Sequence, residues 1–314
     1  MRALVWILML SFSMSIVSPM AQAADKPDWA FPTLDKVQPQ VAPDDGKPKS
    51  APGSSKAYTR AEIEDLYNPP DWYPDIHPAM PKIVANGVNP VVRACAACHL
   101  PIGTGHDESA NLAGLPAAYM LRQIADYKSG ARRGSGSMIT IAQNISDEDN
   151  QAAADYFASL KPRPWIRVVE TANVFKTYVG PGNKRLIHPD RVMEPIGNRI
   201  IEIPENEYRV LNRDPGVGFV AYVPLGSLAK GAALVAGGDG KTVACTTCHG
   251  ADLKGVGEVP GIAGRTANYI VRQLFMTQSG ERSGANAEQM KPVVAQLKVD
   301  DMMNIAAYVA SLAP

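Results

Sequence analysis

The sequence predicts a mainly α-helical protein in which two similar units follow each other in tandem, joined by an irregular, partly β insert. Two observations carry this prediction. A segment of the first half recurs in the second half at an offset of 150 residues, and apolar residues in both copies recur at helical spacing. Between the copies, residues 163–225 break the repeat and contain β-branched and aromatic runs, which favour short strands.

The repeat is anchored on a C-x-x-C-H motif that occurs twice. The paired positions are Cys95 with Cys245, Cys98 with Cys248, and His99 with His249. Downstream, the segment 114–130 aligns with 264–280, and a two-residue insertion in the second copy then brings Met138 over Met290. Two homologous units explain this pattern better than one continuous fold.

Each copy follows the same plan of secondary structure. A helix is expected around residues 117–127 and 267–277, followed by a loop that holds the aligned methionine. A closing helix is expected to begin near Ser146 and Val299, and a helix before the second motif has Ser227 as its candidate N-cap. Small helices joined by loops bury little apolar surface, so units of this size commonly need a cofactor or a cross-link to be stable.

These features divide the chain into five segments. They are a signal peptide at 1–23, a Pro-rich extension at 24–74, the first unit at 75–162, the insert at 163–225 and the second unit at 226–314. The signal is predicted from Arg2, the apolar run after it and the small-x-small sequence Ala21-Gln22-Ala23. Residues 24–57 are expected to run over a surface or stay flexible, and the capping-box pair Thr59 and Glu62 predicts a short helix after them.

The charge balance argues against a nucleic-acid partner. The chain carries 31 Lys and Arg against 31 Asp and Glu, so its formal net charge is zero and it has no basic stripe. The apolar run at the N-terminus is short for a membrane span. We therefore expect an exported protein that is not embedded in a membrane.

Three kinds of site use the C-x-x-C pattern. A zinc ribbon pairs two such motifs across about 15–20 residues, whereas these lie 150 residues apart in separate copies. A redox dithiol explains the cysteines but neither the adjacent histidine nor the paired methionines. Covalent haem attachment explains every part, because cysteines one helical turn apart reach the two vinyl groups of a porphyrin and the next histidine reaches the iron.

The sequence thus predicts two covalently attached haem c groups. Cys95 and Cys98 would hold the first and Cys245 and Cys248 the second, with His99 and His249 as proximal iron ligands. A methionine thioether closes the sixth position in sites of high reduction potential, which assigns Met138 and Met290. Five arginines are candidates to neutralise haem propionates: Arg122, Arg132, Arg133, Arg272 and Arg282.

The chain resembles the class I cytochromes c, specifically the bacterial di-haem proteins built from two fused cytochrome c domains. The likeness covers residues 75–162 and 226–314 and is better in the second unit, where Met290 is followed by Lys-Pro. The resemblance implies that a loop carbonyl near Pro260 binds the proximal imidazole. The first unit has Ala110 at that position and lacks the proline after Met138.

The resemblance implies a periplasmic protein that carries single electrons and is not an enzyme. A dehydrogenase, a membrane cytochrome complex or a terminal oxidase would be its redox partner. Two alternatives remain open: a di-haem enzyme such as a peroxidase, which needs a displaceable sixth ligand, and the haem subunit of a periplasmic dehydrogenase complex. Any departure from electron carriage is to be sought at the first site, where the methionine signature is weaker.

Overall fold

The computed structural model describes residues 26–39, 44–106 and 108–314. The predicted signal peptide lies outside the described residues. No described helix is long and apolar enough to cross a membrane.

The extension holds a short helix and a two-stranded ribbon. Its elements are β1 (Lys49–Ser50), β2 (Ala57–Tyr58) and α1 (Arg60–Glu64). The capping box predicted for α1 is confirmed, because the Thr59 side chain accepts from Glu62 N and the Glu62 side chain accepts from the Thr59 backbone. The course over the surface expected for residues 24–57 is wrong at Ala30, and Trp72, beyond that segment, is buried as well. Ala30 is fully buried against the second unit, and Trp72 is buried and donates from Nε1 to the carbonyl of Asn212 at 2.9 Å.

The described part of the first unit contains five α-helices. They are α2 (Lys82–Ala85), α3 (Ala96–His99), α4 (Ala117–Ser129), α5 (Gly136–Asn144) and α6 (Asp147–Ser159). The predicted positions of α4 and α6 are confirmed, and the Ser146 side chain caps α6 by accepting from Asp149 N. A buried cluster that includes Ile83, Met120 and Phe157 joins α2, α4 and α6 beside the first motif.

The insert forms a small mixed sheet and two hairpin-like pairs. Its strands are β3 (Ile166–Glu170), β4 (Asn173–Phe175), β5 (Thr177–Val179), β6 (Arg185–Ile187), β7 (Met193–Pro195), β8 (Ile201–Pro204) and β9 (Phe219–Val223). β9 lies between β3, to which it is parallel, and β8, to which it is antiparallel. The expectation of strands is confirmed except at α7 (Glu207–Leu211), which is helical because the Asn206 side chain accepts from Arg209 N as an N-cap.

The second unit repeats the plan of the first. Its elements are α8 (Ser227–Ala236), α9 (Thr246–His249), β10 (Gly255–Val256), β11 (Val259–Pro260), α10 (Ala267–Gln278), α11 (Lys291–Val294) and α12 (Val299–Ser311). Ser227 is the first residue of α8 and Gly226 its N-cap, so the predicted cap is off by one residue. α8 and α12 cross so closely at Gly231 that a Cβ there would collide with the Asn304 carbonyl oxygen.

Candidate haem-binding sites

Both motifs fold into a single turn of helix. Cys95 and Cys245 occupy the N-cap positions of α3 and α9 with helical φ of −61° and −62°. The second cysteine of each pair therefore lies about one turn further on, on the same face. The turn ends after the histidine, where Leu100 and Gly250 have φ of 61° and 87°. This left-handed step is costly for leucine and redirects the chain into the following loop.

A backbone carbonyl binds each motif histidine. Nδ1 of His99 lies 2.8 Å from the carbonyl oxygen of Ala110, and Nδ1 of His249 lies 2.8 Å from that of Pro260. A carbonyl only accepts, so Nδ1 carries the hydrogen and Nε2 keeps its lone pair in both rings. The bond expected at Pro260 is confirmed, and Ala110 makes the same bond without a proline.

Burial favours the uncharged form of both motif histidines and of Cys95. It lowers the pKa of His99 to about 4 and also lowers the pKa of His249. Each imidazole is therefore neutral at pH 7, the form that binds a metal through Nε2. Burial raises the pKa of Cys95 to about 12, the reverse of the lowered pKa that a redox dithiol needs.

A large cavity opens beside the first motif. Its volume is about 1130 Å³, above the range of roughly 300–1,000 Å³ for common small-molecule pockets. Cys95, Cys98 and His99 line one wall, and the other walls include Leu115, Tyr127, Ile141 and Phe157. A broad apolar cavity with two cysteines and a neutral imidazole at its edge fits a planar, covalently held porphyrin.

The comparisons with known proteins agree with this geometry. A family model described as cytochrome c matches residues 228–313. Cytochrome c-554(548) of Halomonas halodenitrificans is 35% identical over 77 residues, which are 24% of this chain and 93% of that protein. The chain belongs to the cytochrome c family.

Longer relatives match both units of this cytochrome. Cytochrome c4 of Azotobacter vinelandii is 26% identical over 69% of this chain and 84% of its own length. A protein of Stutzerimonas stutzeri named thiosulfate dehydrogenase electron acceptor is 25% identical over 72% of this chain and 82% of its own. This cytochrome is accordingly a di-haem electron-transfer protein, and its cofactor is covalently bound haem c.

Solved structures are also similar to it. Reduced cytochrome c4 from Pseudomonas stutzeri has 22% identity and a TM-score of 0.46, and the match covers 69% of this chain and 93% of that one. A thiosulfate dehydrogenase (TsdBA) of Marichromatium purpuratum has 25% identity and a TM-score of 0.49, covering 71% of this chain and 37% of that one.

The two aligned methionines of this cytochrome lie on helical turns, whereas the sequence analysis expected loops. Met138 is in the first turn of α5, whose N-cap Ser135 accepts from Met138 N, and its half-buried side chain lines the first cavity. Met290 ends a 3-10 helix that spans Ala285–Met290 and runs directly into α11. Met290 and Cys245 pack against the same buried cluster of the second unit.

The insert and the extension contribute a wall of the first cavity, which no motif of the sequence predicted. The insert residues on this wall include Tyr178, Pro181, Lys184, Leu186, Leu211 and Arg213. The extension adds Arg60 and Glu64. These segments lie outside the repeat, so no alignment between the units pointed to them.

Two of the five predicted arginines meet where the units join. Arg132 and Arg282 are backbone partners in an antiparallel bridge, and each donates from Nη2 to a tyrosine and a glutamine of the opposite unit. The bonds join Arg132 to Tyr269 (3.2 Å) and Gln273 (2.9 Å), and Arg282 to Tyr119 (3.0 Å) and Gln123 (3.0 Å). Arg132 is buried, lines the first cavity and has a buried Nε without a hydrogen-bond partner.

The remaining arginines bind other groups of the protein. Arg122 and Arg272 pair with carboxylates across the unit boundary, while Arg133 donates to the carbonyl oxygen of Gly280 at 3.3 Å. The histidines outside the motifs are also engaged. His77 contacts Asp71 and the Tyr156 hydroxyl, and His188 pairs with Asp190.

Proposed function

We propose that this cytochrome is a periplasmic carrier of single electrons with two six-coordinate haems. Cys95 and Cys98 hold the first haem, and His99 and Met138 bind its iron. Cys245 and Cys248 hold the second, and His249 and Met290 bind its iron. The observation that carries the proposal is the duplicated imidazole–carbonyl bond, because it presents a neutral Nε2 at each motif.

The bound haem would supply a reversible one-electron change at iron, and the chain supplies the surroundings. The carbonyls of Ala110 and Pro260 fix the ring orientation and increase the basicity of the imidazole. Apolar walls such as Leu115 and Phe157 exclude water from the first cavity. No bond of a substrate is made or broken in this function, so no general acid or base is required.

We infer that residues 75–162 and 226–314 act as two haem domains that exchange electrons with each other. Arg132 and Arg282 support this, because Arg132 lines the first cavity and bonds Tyr269 of α10, while Arg282 bonds Tyr119 of α4. The unpartnered Nε of Arg132 is suited to a propionate carboxylate. The predicted signal at 1–23 would place the mature protein in the periplasm.

The proposed redox partners are proteins: a dehydrogenase or a membrane cytochrome complex as electron donor, and a terminal oxidase or reductase as acceptor. The named thiosulfate dehydrogenase acceptor supports a dehydrogenase as the donor. We favour a carrier over a di-haem peroxidase because a peroxidase needs an iron with a displaceable ligand, whereas both units here offer a methionine beside the motif.

Spectra of the purified protein in both oxidation states test the proposal. We expect no high-spin signal and two methionine-to-iron charge-transfer bands in the ferric near-infrared. Met138→Ala and Met290→Ala should each remove one band, and Met193→Ala, at an exposed insert methionine, should remove none. A high-spin haem or peroxide turnover in the unaltered protein would exclude the carrier, and two intact bands in Met138→Ala would exclude Met138 as a ligand.

A further inference from the structure

A guanidinium from the insert reaches the first haem-binding motif. Arg213 follows α7 and donates from Nη1 to the carbonyl oxygen of Ala97, which lies inside α3 between the two cysteines. Its Nε donates to the carbonyl oxygen of Ile63 in α1 at 2.8 Å. One side chain therefore ties the motif helix to both the extension and the insert.

The backbone of Arg213 is held in a costly conformation. Its φ of 55° lies in the left-handed region, which is uncommon for a residue with a side chain. Such conformations persist where surrounding contacts determine them, and they concentrate at functional sites. The half-buried Arg213 side chain lines the first cavity together with Cys98 and His99.

The charge of Arg213 is not neutralised by a direct ion pair. Both hydrogen-bond partners are neutral carbonyl oxygens, and no carboxylate of the described residues lies within ion-pair distance. The acidic group that faces it is Glu64, whose side chain is 67% exposed, so water weakens its attraction for Arg213 without abolishing it. Burial lowers the pKa of Arg213, but arginine starts from above about 12, so the cation persists at neutral pH.

Among the described residues, none covers the second motif in the way that Arg213 covers the first. Ala97 is fully buried, whereas its counterpart Thr247 and the adjacent Cys248 are exposed. The insert therefore distinguishes two sites that the repeat makes alike.

We propose that Arg213 is a positioning residue that fixes the first motif helix and raises the reduction potential of the first haem. Reduction adds one electron from a redox partner, and a nearby cation in a poorly solvated site stabilises the state that holds this extra negative charge. The inference rests on the proposed haem attachment at Cys95 and Cys98.

The test is spectroelectrochemistry of the full-length protein with both haems attached. Arg213→Gln removes the charge at similar length, Arg213→Lys keeps it, and Arg167→Gln is the control, since Arg167 is an insert arginine that is 61% exposed. Each variant is also measured in a Cys248→Ala background. This change leaves one vinyl group on the second haem and shifts its absorption, so that the redox titrations of the first and second haems can be separated.

We expect Arg213→Gln to lower the reduction potential of the first haem by roughly 30–60 mV. At ~59 mV per tenfold, this is about a threefold to tenfold shift of its redox equilibrium toward the oxidised state. Arg213→Lys and Arg167→Gln should stay near the unaltered potential. An unchanged first potential in Arg213→Gln, or an equal fall in both haems, overturns the proposal.

If Arg213→Gln does not take up its first haem, Glu64→Gln decides the question in a folded protein. Removing this facing carboxylate should raise the first potential, and an unchanged potential there overturns the proposal. Failure of the proposed function is distinguishable, because the unaltered protein would then contain fewer than two covalent haems.

Discussion

Arg122 in α4 bonds Glu258 of the second unit at 2.7 Å, and the equivalent residues reverse the pair: Arg272 in α10 bonds Glu108 of the first unit at 3.2 Å. Each unit thus contributes one arginine and one carboxylate to the ion pairs between the units. The two pairs differ in burial, with side-chain exposures of 31% and 65% for the first pair and 9% and 17% for the second.

This difference in burial predicts unequal effects on stability. Glu258→Gln should lower the free energy of unfolding by less than about 1 kcal/mol, because water screens an exposed pair. Glu108→Gln should cost about 3 kcal/mol, because it removes one charge of a buried ion pair. Thermal unfolding of the two matched variants measures both values, and equal losses would contradict the prediction.

Glu202 of β8 joins the insert to the second unit. It is fully buried, and its carboxylate accepts from the backbone N–H groups of Ala267 and Asn268 at 2.7 and 3.1 Å. These N–H groups open α10, whose N-cap Thr266 makes no side-chain cap bond. We expect Glu202→Gln to cost about 1–3 kcal/mol, since it removes a charged acceptor from a helix N-terminus.

Glu205→Gln is the matched control for this prediction. Glu205 lies three residues further on, and its side chain is 48% exposed. Chemical denaturation followed by helical circular dichroism should show no more than a small change for it. A loss as large as that of Glu202→Gln would mean that the cap is not the cause.

Gly231 sets the distance between α8 and α12. Gly231→Ala should destabilise the second unit by about 1–3 kcal/mol, because the new methyl group meets the backbone of Asn304 and the helices must move apart. Gly136→Ala in α5 is the control, since a Cβ there meets nothing within 4 Å and alanine favours the helix. Unfolding temperatures distinguish the two, and a neutral Gly231→Ala would show that the crossing can open freely.

The tyrosines at the unit boundary give a symmetric test. Tyr119→Phe and Tyr269→Phe each remove one acceptor from a boundary guanidinium, at 3.0 Å from Arg282 and 3.2 Å from Arg132. Each should cost about 1–2 kcal/mol in the free energy of unfolding. Tyr208→Phe, at an exposed tyrosine of the insert, should cost almost nothing. Losses confined to one boundary tyrosine would show that the two halves of the network are not equivalent.

The sequence determined the fold class, the duplication and the two motifs, because these depend on local patterns. Apolar spacing placed α4, α6, α10 and α12, and the offset of 150 residues paired each motif residue with its counterpart. The assignment of Met138 and Met290 came from the same alignment, whereas their position on helical turns did not. Helix boundaries near Ser135 depend on capping contacts that spacing alone does not reveal.

Only the tertiary structure showed which residues from distant parts of the chain contact the motifs. A carbonyl is present in every residue, so only the path of the loop showed that Ala110 binds His99 as Pro260 binds His249. Arg213, Glu202 and Glu108 contact residues distant in the chain, and such contacts leave no periodic signal in one sequence. Local chemistry thus determined the proposed points of haem attachment, while long-range packing, which depends on how separate segments fit together, made the two sites different.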